Sequence, residues 1–164
     1  MISKLLRPTF VSAALAAGVA TAPAMAADYV IDTEGAHASI NFRISHLGFS
    51  WTKGRFNDFT GSFSYDEANP EDSEVVVEID VASIDSAHAE RDKHLRSADF
   101  LDTSEYPEAR FVSTSFTPTG DDTATLEGEL TLKGVTRPVT IDVEKIGAGE
   151  DPWGGYRVGF SGET

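Results

Sequence analysis

Period-2 alternation carries most of this chain. Ile40, Phe42, Ile44 and His46 share one face of an extended segment, with Asn41, Arg43 and Ser45 on the other. Phe59, Phe63 and Tyr65 share a second face, and Gly61 leaves a gap among them. From Glu74 to Asp85, Val75, Val77, Ile79 and Val81 stand opposite Val76, Glu78 and Asp80. Phe111 to Phe116 also reads as extended, although its apolar residues fall on both faces. Leu126, Gly128, Leu130 and Leu132 oppose Glu127, Glu129 and Lys133, and Val139, Ile141 and Val143 alternate with Thr140, Asp142 and Glu144. The link from Lys133 to Thr136 predicts a turn, so these two runs form an antiparallel hairpin. Tyr156, Val158 and Phe160 close the series.

One insert, Ile84 to Asp102, breaks the alternation with His, Arg and Asp. It predicts a single short helix near Ala87 to Ser97, entered from Asp85 or Ser86 as N-cap. On that helix Glu90 with His94, and Asp92 with Arg96, are spaced i, i+4 for surface pairing. Strands with one apolar and one charged face belong to antiparallel sheets that are wet on one side. Roughly seven or eight of them predict an all-β fold, either a closed barrel or a two-sheet sandwich.

Residues 1–26 read as a signal peptide rather than as part of the fold. Lys4 and Arg7 supply the positive start, Thr9 to Ala22 the apolar stretch, and Ala24-Met25-Ala26 the cleavage signal. The apolar stretch is short and Ala-rich for a membrane span. Export is therefore expected, with one domain over residues 27–164. The chain carries a formal charge of −14, and both leader cations leave on cleavage. Nucleic acid is excluded as a partner, because phosphates would be repelled. Direct docking on anionic lipid headgroups is disfavoured for the same reason. The acidity serves solubility, or else it meets a basic partner protein. With no cysteine, the chain has no disulfides, thiol nucleophile, thiolate ligand or haem attachment point.

Chemical motifs are sparse. His37, His46, His88 and His94 are the only histidines, and no His-Glu-x-x-His pattern occurs. No Gly-x-Ser-x-Gly elbow is present, and no phosphate-cradling glycine loop. Neither catalytic nor metal-ligating residues are assigned. The inward apolar set (Phe42, Ile44, Phe63, Val77, Ile79, Val81, Leu130 and Ile141) either fills a core or lines a cavity. His46 continues the Ile40 face and should point inward, held by a core hydrogen bond or touching the polar end of a ligand. Arg91, Asp92 and His94 either pin the insert to the sheet or contact a headgroup.

Three stretches carry a family resemblance. Ser45-His-Leu-Gly48 with Gly54-Arg-Phe56 and Gly61-Ser-Phe63 resembles the opening signature of the YceI-like family. Arg91 to Asp102, followed by Tyr106-Pro107 and Phe111, is similar to its central signature, and Leu126 to Val139 to its third. The resemblance implies an extended, lipocalin-like antiparallel barrel enclosing a long apolar pocket, in a periplasmic protein that binds, stores or transports lipid. The implied ligand is a polyisoprenoid, an isoprenoid quinone or a similar long-chain lipid, with no other cofactor and no enzymatic activity. His46, Phe56, Phe63, Arg91, Asp92 and His94 lie on the family motifs, and Phe111 completes the ligand-binding set. Relatives of this kind continue past Gly162 into a further strand, so the chain is expected to be C-terminally incomplete. Its open last edge could pair two copies as a dimer. A transient membrane-protein partner fits a carrier. The competing reading is a stress-response interaction protein acting through its acidic surface on a basic partner.

Overall fold

The computed structural model describes residues 26–35 and 37–164. The leader expected over residues 1–26 therefore lies outside the described residues, apart from Ala26. Ten strands and one α-helix follow in order. These are β1 (Ala27–Val30), β2 (Ile40–His46), β3 (Ser50–Phe56), β4 (Phe59–Tyr65), β5 (Glu74–Asp80), β6 (Ile84–Asp85), α1 (Ala89–Arg96), β7 (Glu108–Pro118), β8 (Thr123–Leu132), β9 (Val135–Glu150) and β10 (Tyr156–Glu163). Seven of them form one antiparallel sheet in the order β1-β4-β5-β7-β8-β9-β10, and β2-β3-β6 form a second, smaller one.

Register puts the alternating apolar residues on a common face. Phe59 lies opposite Ile79, Gly61 opposite Val77, and Phe63 opposite Val75. Val77 in turn faces Phe111, Phe111 faces Leu130, and Leu126 faces Ile141. Such rows continue across every ladder because a one-residue slip would send the whole set to solvent.

The large sheet curls into a half-barrel. Laid flat, the five strand steps from β4 to β10 would cover roughly 24 Å at about 4.8 Å each. Instead the Phe160 ring on β10 lies 5.9 Å from Phe63 and 5.2 Å from Tyr65, both on β4. Arg157 of β10 also pairs with Asp32, just past β1. The first and last strands of the order are thus brought together through side chains.

Two buried clusters fill the concave face. One contains Phe111, Phe116, Ala124, Leu126 and Val143. The other contains Ile79, Val81 and Ala109, with Ile40 and Phe56 of the small sheet packed against it. The half-buried Val77 packs against both.

Several local features depart from the alternation pattern. β5 ends at Asp80, where the Asp80 carboxylate accepts from the Ala82 N–H at 2.9 Å and starts a 3-10 turn over Val81–Ser83. Val81 then donates to the Pro107 carbonyl at 2.9 Å, outside the β4 ladder. In β7 the register shifts between Ser113 and Ser115. That bulge adds one residue, so Phe111 and Phe116 share a face despite their odd spacing. Strands β1 and β3 are additional to the predicted set. The helix begins later than predicted, with His88 as N-cap, its Nδ1 accepting from the Arg91 N–H at 3.2 Å. Asp85 and Ser86 serve the loop before it.

Candidate functional site

The concave face is the surface on which the sequence-selected residues converge. Phe63, Val77, Ile79, Val81, Phe111, Leu130 and Ile141 all lie on it or in its two clusters. The Phe111 ring and the Val112 carbonyl crowd the site of a side chain at Gly128 on the neighbouring strand. A Cβ at position 128 would fall 2.4 Å from Phe111 Cζ, so only glycine leaves room for the ring.

One end of this face is aromatic with a polar rim. Tyr29 stacks on Phe63 with centroids 4.8 Å apart and planes 10° from parallel, and Phe160 meets Phe63 edge-on. The Lys145 ammonium sits 5.7 Å over the Tyr65 ring and pairs with Glu67, which raises the lysine pKa. Burial, reinforced by Tyr156, pushes the Tyr29 phenol up. A cleft of about 260 Å³ opens here, with Tyr65, Phe116, Val143, Lys145 and Phe160 in its wall. Ordinary small-molecule pockets measure roughly 300–1,000 Å³. Glu67, Asp121, Asp122 and Thr123 complete its wall, so this cleft is apolar on one side and acidic on the other.

At the opposite end stands the small sheet. Phe42 and Phe56 contact one another there at 5.8 Å. Ile44 and His46 continue the same face of β2, but both are exposed, because the β2–β3 hairpin extends away from the body. His46 is the last residue of β2, beside the turn, and not within the interior.

The three polar helix residues occupy a separate location. Asp92 is 7% exposed and its Oδ1 accepts from both the Ser86 N–H, at 2.9 Å, and the Ser86 hydroxyl. The hydroxyl bond, chiefly, holds the Asp92 carboxyl below the usual carboxylate range. Arg91 donates from Nε to Ser86 Oγ at 2.7 Å and from Nη2 to the Ser86 carbonyl at 2.6 Å. Arg96 reaches the carbonyls of Ala82 and Ile84, both at 2.6 Å. His94 lies against Phe100, with ring centroids 4.7 Å apart, and is 3.5 Å from the Asp99 carboxylate. The anticipated i, i+4 pairs are replaced by these contacts, because Ser86 and the open carbonyls of the 80–86 turn lie within reach. Helix α1 is thereby tied to the chain leading into it.

Residues that line the face but fall outside the ligand-binding set expected from the sequence are Tyr29, Phe116, Leu126, Val143 and Phe160. Leu126, Val143 and Phe160 were visible in alternation, whereas the β7 bulge hid the facing of Phe116 and the brevity of β1 hid Tyr29. The site offers apolar surface and few titratable groups. Among the described residues, no three His, Asp or Glu side chains are grouped to hold a metal ion, and no helix is long and apolar enough to cross a membrane.

Comparison with known proteins agrees with this architecture. The profile of the YceI-like domain matches residues 29–164. A UPF0312 protein of Vibrio parahaemolyticus is 60% identical over 141 residues, covering 86% of this chain and 75% of its own length. A UPF0312 protein of Azotobacter vinelandii is 56% identical over 161 residues, covering 98% and 84%. Among solved structures, the Campylobacter jejuni YCEI protein superimposes with a TM-score of 0.65 at 30% identity, over 77% of this chain and 74% of that one. Burkholderia cenocepacia BcnA gives 0.64 at 29% identity, over 68% and 69%.

Proposed function

The chain belongs to the YceI-like family, and from that premise we propose that its concave face binds a long-chain isoprenoid lipid. The protein holds the tail out of water for storage or delivery in the periplasm, reached through the leader of residues 1–26. It acts as a binder and performs no chemistry on its cargo. The observation that carries this reading is the run of apolar side chains along one face of the curled sheet, in two clusters bridged by Val77.

Magnitudes favour a carrier over a permanent host. Burial contributes about 0.8 kcal/mol per CH₂, so a tail of about 30 carbons offers a gross term near 24 kcal/mol. Non-covalent affinity saturates near about 18–21 kcal/mol, so ordering the flexible tail offsets much of that gain. The face should consequently discriminate tail length more sharply than headgroup.

Native mass spectrometry of the protein purified from its own host tests the proposal, with extraction of any lipid that travels with it. A stoichiometric isoprenoid is the expected result. Leu130→Arg, at a half-buried position on the face, should abolish retention while circular dichroism still reports a folded sheet. A folded Leu130→Arg or Ile141→Asn protein that retains its lipid would remove the concave face from consideration.

A further inference from the structure

The β2–β3 hairpin differs from the rest of the molecule in both charge and exposure. Residues 40–56 contain Arg43, Lys53 and Arg55 and not one carboxylate, in a chain whose formal charge is −14. Its tip is strongly apolar and solvent-facing: Leu47 is 78% exposed, Phe49 91% and Trp51 60%. Leu47 and Gly48 both adopt positive φ, and the Phe49 N–H donates to the His46 carbonyl at 3.0 Å, which makes a tight β-turn within a three-residue loop. The apolar side chains are thus held outward by a fixed turn and not by a loose loop. Behind the tip, the Arg43 guanidinium lies 5.2 Å over the Trp51 ring, and Lys53 lies directly across the ladder from Arg43.

We propose that this hairpin is a docking finger for an anionic phospholipid bilayer, with Leu47, Phe49 and Trp51 entering the interface while Arg43 and Lys53 meet the headgroups; Arg55, at the base, stays with Asp85. Tryptophan with a nearby cation suits the boundary between headgroup and acyl chain. The acidic body does not cancel the attraction. At about 3.4 Å per residue, the tip stands roughly 20 Å from the Ile40–Phe56 base of the hairpin. That exceeds the Debye length of about 8 Å at physiological salt, so the body's field is largely screened at the tip. Net repulsion of the body then orients the molecule finger-first. The inner face of β2 runs from exposed Ile44 through Phe42 to Ile40, which packs on the Ile79 cluster. Docking would therefore leave the bilayer one hairpin length, roughly 20 Å, from one end of the concave face. This last step rests on the lipid-binding reading; the docking itself does not.

Co-sedimentation of the full chain with vesicles of phosphatidylcholine, alone or with one-quarter phosphatidylglycerol, tests the proposal. Binding is expected on the phosphatidylglycerol vesicles, weakening as salt is raised. Each interfacial cation contributes about fivefold, so Lys53→Glu should weaken binding tenfold or more, and Phe49→Asp likewise, with thermal stability unchanged for both. In a Trp153→Phe background, Trp51 emission should shift to the blue on binding. Absence of vesicle binding at low salt overturns the proposal, as does binding that both variants retain. Self-association that Phe49→Asp dissolves would assign the tip to a second copy and overturn it as well. A polyprenol delivered by detergent dilution separates the two readings. Its retention by Phe49→Asp is expected, whereas its rejection by a chain that still binds vesicles leaves docking standing and removes the lipid pocket.

Discussion

Asp92 shows how a buried charge is satisfied by the loop it organises. Its carboxylate takes two hydrogen bonds from Ser86, and Arg91 grips the same serine from the other side. Truncation by Asp92→Ala leaves the Ser86 N–H unpaired in a buried setting, which costs about 1–3 kcal/mol. Urea denaturation should register that loss, with the midpoint shifted and the slope unchanged. Asp32 supports a different prediction. Arg157, chiefly, with help from His37, lowers its pKa from the ordinary 3.8 to about 2. A carboxyl depressed in the folded state contributes stability that is full above its unfolded value and fades as pH falls through the folded one. The melting temperatures of wild type and Asp32→Asn should therefore differ at neutral pH and converge between about pH 4 and pH 2. A gap that persists undiminished at pH 2 would assign the effect to packing instead of charge. Residue identity alone predicted neither role: Arg91 and Asp92 stood out in the sequence, yet Ser86, which joins them, carries no pattern of its own.

At the scale of elements, legibility followed periodicity. β2, β4, β8 and the β8–β9 hairpin could be read directly, because each alternates cleanly and the turn at Lys133-Gly134 is tight. β3 was obscure because its inner face is Thr52, Gly54 and Phe56, a run with little apolar content until its partner β2 is placed beside it. β7 showed apolar residues on both faces because a bulge was hidden in it, and β5 appeared to run on because Val81 keeps the alternation through a 3-10 turn. Both are backbone events that side-chain spacing does not encode. The close approach of Phe111 to Gly128 ties β7 to β8 within the site. Gly128→Val should cost about 1–3 kcal/mol by overpacking, and more where the ring cannot turn aside. Thermal melting would detect it, and Phe111→Leu in the same chain should recover part of the loss. Recovery is the discriminating result, since strand propensity alone would favour valine.

For the whole molecule, the all-β class, the single helix and the curled sheet followed from the sequence, whereas the way the sheet meets itself did not. That meeting depends on Phe160, Arg157 and Lys145, which belong to β9 and β10, reaching partners more than 75 positions away in the chain. Phe160→Ala should destabilise the fold by about 2–3 kcal/mol, somewhat below the cost for a fully enclosed ring. Hydrogen exchange should then show β1 and β10 losing protection ahead of β7 and β8. The same join has a kinetic meaning. The Phe160 ring holds β10 to β4, and Arg157 holds it to Asp32 just past β1, while the backbone ladders among the described strands run within the sheet on either side. Parting along that line would break no ladder among the described strands, and on the lipid-binding proposal a long guest would then enter broadside instead of being threaded from one end. Uptake half-times should then be nearly the same for short and long prenols, and Phe160→Ala should shorten them all.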